Sequence, residues 1–239
     1  MTELGAIMSA VGLSLLCAAA AVVLALPAAM ALAWVLARRN FRGKALVEAL
    51  VMLPLVVPPV VTGYLLLVLL ARRGLLGPAL AAMGVEIVFT WVGAALAQAV
   101  IALPMLVLAL RVAFESIDPE LEQAAATEGA TPLRIFWSLV LPMSWHGLAA
   151  GCVLAYARAL GEFGATILVA GNIAGDWSQG RLGTRTLPLA IFSAMQWPGG
   201  EREAAALVII GIAMSLAALM VVRRLFGGDY RAAEGRIKK

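Results

Sequence analysis

The chain has 239 residues, of which 63% are hydrophobic and 13% charged, with a mean hydropathy of +0.96 and a formal net charge of +4. Soluble globular domains carry about 25% charged residues, so this composition excludes a soluble single-core domain and describes an integral membrane protein. The modest positive charge needs no nucleic-acid partner, because basic residues beside membrane ends and a basic C-terminal tail account for it.

The N-terminal Met1-Thr2-Glu3-Leu4 has no Lys or Arg, and the apolar run after it far exceeds a signal-peptide core. That run therefore reads as a retained span, with no cleavage expected. A bilayer core of about 30 Å needs roughly 20 apolar residues as helix, and the chain offers such runs at Ile7–Ala37, Ala45–Ala71, Ile87–Val112, Trp145–Ala170 and Ala204–Val222. The first is long enough to tilt or project, with a kink expected at Pro27. The second is interrupted by Pro54, Pro58 and Pro59. The helix left after Pro59 is only about 18 Å long at 1.5 Å per residue, too short to cross, so the stretch before it also belongs at membrane depth. Backbone groups freed at such a break are tolerated where protein or a water-filled cavity satisfies them, which marks Pro58, Pro59, Thr62 and Gly63 as candidate lining of a translocation pathway. Cys17 and Cys152 sit in apolar runs without metal or redox spacing and read as small buried hydrophobes. His146 is the single histidine and cannot build a metal site alone.

Between the third and fourth runs lies Asp118–Pro142, DPELEQAAATEGATPLRIFWSLVLP, the long polar-bearing segment of the chain. Asp118-Pro119 starts a helix, since the Asp side chain caps free N–H groups and Pro fits the first turn. Gly129 is suited to the left-handed conformation that ends it, and Thr131-Pro132 starts a second helix. Such an elbow presents small residues to the aqueous side, a shape that fits another protein's groove; an ordinary connecting loop is the alternative. In the fourth run Arg158 and Glu162 are four residues apart and share a helix face. At that depth they form either a structural ion pair or a site in which Arg158 faces an anion pathway and Glu162 holds it. The segment Gly171–Gly200, with Asp176, Trp177, Arg181, Arg185 and Trp197, is expected to be external, as a docking surface or a solvated loop.

Basic residues set the orientation. With the N-terminus outside, the inner side holds Arg38, Arg39, Arg42, Lys44, Arg111, Arg134 and the six basic residues from Arg223 to Lys239. The outer side then holds Arg72, Arg73, Arg181, Arg185 and Arg202. The expected fold is thus a single all-α, polytopic domain over 1–239, with about five transmembrane helices, N-terminus out and C-terminus cytoplasmic. The elbow region, about 115–143, falls in the cytoplasm and the segment 171–200 outside.

The elbow resembles the coupling loop of ABC-importer permeases, the EAA loop: Glu-Ala-Ala, three residues, Gly, nine residues, Ile, one residue, Leu-Pro. Gln123-Ala124-Ala125, Gly129, Leu139 and Leu141-Pro142 fall at those spacings, with Gln123 where Glu is usual and Leu139 where Ile is usual. The resemblance assigns ATPase coupling to these residues, with Glu122 beside them. The stretches Leu53–Tyr64 and Ala157–Thr166 are similar to those of permeases in the molybdate, tungstate and sulfate group. That likeness covers nearly the whole chain and implies a homodimer, two cytoplasmic ATPases, an extracytoplasmic oxyanion-binding protein and alternating access at the dimer interface in a bacterial inner membrane. It favours molybdate, with tungstate or sulfate as alternatives and a secondary transporter as a reading from another class. No G-x-x-x-x-G-K-[ST] phosphate loop occurs in the chain, so ATP and Mg are expected on the partner ATPase. The chain itself is expected to be no enzyme, with no catalytic or metal-binding residues and no cofactor.

Overall fold

The computed structural model describes residues 3–176 and 180–237, with side chains for all of these except 3, 222 and 225–237. Trp177, Lys238, Lys239 and the side chains of Arg231 and Arg236, singled out above, lie outside the described residues.

The first apolar run is one helix, α1 (Glu3–Arg38), continuous through Pro27. Its buried stripe is almost entirely small: Ala10, Cys17, Ala18, Ala21, Ala25, Ala29 and Ala33. Small residues let helix backbones approach closely, which matters in lipid, where helices associate by packing rather than by the hydrophobic effect. The third run is α5 (Trp91–Glu115), also Ala-rich on its buried side and the most enclosed of the three long apolar helices. Trp91 lies beside Cys17, whose Sγ donates to its carbonyl at 3.6 Å, and the end of α5 lies beside Arg38, so α1 and α5 run parallel. α9 (Trp145–Leu160) packs antiparallel on α5 through Gly147 against Ala113 and Gly151 against Ala109. α1, α5 and α9 enclose the main core.

The second run is α2 (Lys44–Val56) followed by α3 (Pro59–Leu70), bent by 109°. Pro54 does not break the chain; α2 runs through it, and the break falls at Val57-Pro58. α4 (Gly77–Ala82) lies in the connection to α5, where Phe89 adopts a positive φ of 61°. The elbow forms α6 (Pro119–Thr127), α7 (Pro132–Ile135), a π-helical turn at Phe136–Val140 and the single turn α8 (Leu141–Met143).

Two expectations change. The fourth run is not one helix: α9 ends at Leu160, and α10 (Gly164–Ala170) begins after a break at 161–163. Its bent apolar partner is the stretch before it, Pro132–Met143, at 75°. The run stays apolar on average despite Arg158 and Glu162, so hydropathy hides a break that the flanking Gly161 and Gly164 allow. The segment 171–200 is also more than a loop. It carries an antiparallel bridge between Asp176 and Arg181 and a helix, α11 (Leu187–Met195), whose Leu187, Ala190 and neighbours pack on α1 and α12 (Glu201–Ile237). Ser14 accepts the N–H of Leu187 at 2.6 Å, fixing the start of α11 to α1. Nine residues are too few to register as a span. Among the described residues, three helices are long and apolar enough to cross a membrane, or five if each bent pair is one span.

Candidate functional site

The elbow begins as its residues dictate. Asp118 Oδ1 accepts the N–H of Glu120 at 2.9 Å and starts α6, and Thr131 Oγ1 accepts from Arg134 at 3.4 Å at the start of α7. Between them Gly129 has φ 84°, a left-handed conformation that costs a side chain-bearing residue free energy.

Burial sorts the residues assigned to coupling. Gln123, Ala124, Gly129 and Pro142 are exposed, together with Ala126. Ala125 is not part of the exposed tip: half-buried, it packs with Ala130 and Leu139 on the main core. Leu141 is also half-buried. Glu122 faces inward and accepts from Arg38 Nε at 2.7 Å, each side chain being less than one-fifth exposed. A carboxylate held this way orients the elbow.

Arg38, which the sequence presented only as a basic residue at a membrane end, is the residue that seats the elbow. Besides Glu122 it donates to the carbonyls of Phe114 and Ile117 at 2.8 and 3.2 Å. These lie at the end of α5, where carbonyls lack helical partners, so one guanidinium ties α1, α5 and α6 together. Below it Phe136 of the π turn contacts Trp34, Phe114 and Trp137, with ring centroids 5.2, 6.0 and 5.4 Å away. Nearby, Arg111 bridges Glu48 of α2 and Glu115 at 2.8 and 2.7 Å. On the connection between α3 and α5, the Glu86 carboxylate pairs with Arg72 and raises that guanidinium's pKa further.

The candidate pathway residues gather where the two interrupted segments meet. A Cβ on Gly63 would lie 2.7 Å from Ala165 Cα, and one on Gly164 would lie 3.2 Å from Pro59 Cβ and 3.1 Å from Val60 Cγ2. Farther on, Leu66 packs against the cluster that holds Ala165 and Val169, and Val169 O accepts the Phe89 N–H at 2.9 Å. α3 and α10 therefore run side by side in the same direction, with their breaks at one level. Glu162, almost fully buried, sits in the α10 break. It accepts from Arg158 Nη1 at 3.0 Å through one oxygen and from the Ala165 N–H at 2.9 Å through the other. It lies beyond the end of α9, so the pair holds although the shared helix face does not continue. Arg158 keeps about a third of its side chain exposed, Thr62 and Gly63 are buried, Pro59 is half-buried and Pro58 is exposed. Thr166 Oγ1 and Gln98 Oε1 are buried without a hydrogen-bond partner among the described residues. The sequence signal for this site was the pair of breaks, of which only the proline-marked one could be read.

A family model described as binding-protein-dependent transport system inner membrane component matches residues 21–227. The molybdenum transport system permease protein ModB of Haemophilus influenzae is 47% identical over 214 residues, covering 89% of this chain and 90% of that one. The sulfate transport system permease protein CysT of Salmonella typhimurium is 40% identical over 165 residues, covering 69% of this chain and 57% of that one. Among solved structures, a bacterial alginate ABC transporter in complex with alginate pentasaccharide-bound periplasmic protein superposes with a TM-score of 0.66 at 16% identity, covering 92% of this chain and 77% of that one. The last likeness shows a shared fold.

Proposed function

The chain belongs to the family of binding-protein-dependent transport system inner membrane components, and from that premise we propose that it is the membrane-spanning permease of an ATP-driven importer whose substrate is molybdate. The observation that carries the substrate is the 47% identity to a molybdenum permease along nine-tenths of both chains. The sulfate permease likeness covers little more than half of that protein, so sulfate is the second reading.

In this proposal the protein is a homodimer, with two ATPase subunits docked on the cytoplasmic elbows and an oxyanion-binding protein on the outer face. ATP and Mg reside on the ATPases. The exposed Ala124, Ala126 and Gly129 suit a partner's groove because packed interfaces leave little room for added atoms. Movement imposed on α6 reaches α1 and α5 through Arg38. From α5 it passes to α9 across the Gly147 and Gly151 contacts, and then to the Arg158–Glu162 break and the α3/α10 pair. Rigid helices joined by close backbone contacts transmit such displacement, and breaks absorb it.

Reconstitution of the purified permease with its ATPase and binding protein in liposomes tests the reading. ATP-dependent molybdate accumulation that an equal concentration of sulfate does not displace is expected. Uptake that follows an ion gradient without the ATPase would replace the proposal with a secondary transporter, and sulfate competing on equal terms would replace the substrate.

A further inference from the structure

On the flank of the helix bundle, α1, α9 and α12 leave a groove of about 570 Å³ that reaches Leu160 at the end of α9. Leu15 and Val22 of α1, Cys152 and Tyr156 of α9, and Met214 and Val221 of α12 line it, and almost no polar surface is presented. From Met214 to Val221 the groove follows α12 for about 10 Å, and Arg224 lies one turn further, about 15 Å from Met214. That is the depth of one leaflet of a bilayer core about 30 Å thick. At 100° per residue Arg224 emerges on the flank of the Met214–Val221 stripe, whereas Arg223 emerges on the opposite side. Both arginines are exposed, and neither forms an ion pair among the described residues.

We propose that this groove is a binding site for an anionic phospholipid, one acyl chain lying between Met214 and Val221 and the headgroup phosphate meeting Arg224. Shape alone would admit any acyl chain. The commitment to an anionic lipid comes from Arg224, the arginine on the groove's flank, placed where the headgroup of a chain filling the groove must end. The site requires that the groove faces lipid and that α12 leaves the membrane after Val221. It is therefore independent of the import reading and of the substrate.

The test is native mass spectrometry of the full-length permease in detergent, titrated with phosphatidylglycerol or phosphatidylcholine of identical chains. One phosphatidylglycerol per chain is expected, retained at about fivefold lower concentration than phosphatidylcholine, the preference that one arginine at a headgroup supplies. Arg224→Gln should erase the preference while Arg223→Gln keeps it. Neither substitution touches a packed contact, so folding is not at stake. Ala218→Leu, which fills the groove, should abolish tight retention of both lipids. Equal binding of both lipids by the wild-type chain, equal losses in the two arginine variants, or undiminished retention in Ala218→Leu would each overturn the proposal.

Discussion

Glu162 does two things that substitution can separate. One oxygen pairs with Arg158 and the other accepts the N–H of Ala165 at the start of α10. Glu162→Gln keeps an acceptor for the N–H but removes the charge, leaving a partly buried guanidinium uncompensated, and Glu162→Ala removes both. The expected order of thermal stability for the detergent-purified subunit is wild type, Gln, Ala, with the Gln variant losing about 1.5–3 kcal/mol, the range for a hydrogen bond to a charged group. The reversed pair Arg158→Glu/Glu162→Arg restores neutrality but cannot accept from Ala165, because a guanidinium has no acceptor. It should stay below Glu162→Gln. A reversed pair as stable as wild type would show that charge balance alone matters there.

At the scale of elements, the elbow and the paired short helices make opposite demands on small residues. Ala124 faces solvent and Ala125 faces the core, so Ala124→Glu should leave the isolated permease as stable as before. It should weaken co-purification with the ATPase about a hundredfold, since burying an unpaired carboxylate costs several kcal/mol. Ala125→Glu should lower the permease's own thermal stability. If both variants bind the ATPase normally and transport at wild-type rates, the elbow is only a connection. Between α3 and α10 the demand is for contact. A methyl group at Gly63 meets Ala165 backbone at 2.7 Å, which cannot move aside, whereas one at Gly164 meets the Pro59 and Val60 side chains and the Val60 nitrogen at 3.1–3.2 Å, tight contacts that a shift of a few tenths of an ångström relieves. Gly63→Ala should therefore lower the melting temperature more than Gly164→Ala, and equal effects would mean that the two helices separate easily. The first half of this arrangement was legible, because Pro58-Pro59 announces an interruption in any helix. The second half was not, because Gly161-Glu162-Phe163-Gly164 contains no proline and its glutamate could be assigned to a helix face as readily as to a break.

For the whole molecule, membrane class, elbow and major helices followed from composition, run length and capping residues. Long-range pairings did not: the seating of Glu122 by Arg38 joins residues 84 positions apart, and α11 was too short to stand out from its loop. The orientation inferred from basic residues has its own test. A cysteine placed at Thr127 in a Cys17→Ala/Cys152→Ala background should react with a membrane-impermeant maleimide only after the cytoplasmic face is opened. One placed at Leu75 should react from outside in intact cells, and the converse pattern would invert the topology. The Arg38 contact also has a meaning in time. Arg38 is made early, and its three acceptors at Phe114, Ile117 and Glu122 are made only in the last turn of α5 and after it. A nascent chain therefore cannot seat its elbow until α1 and α5 lie together in the bilayer. Any cytoplasmic subunit that recognises the seated elbow is thereby prevented from engaging a permease whose insertion is incomplete.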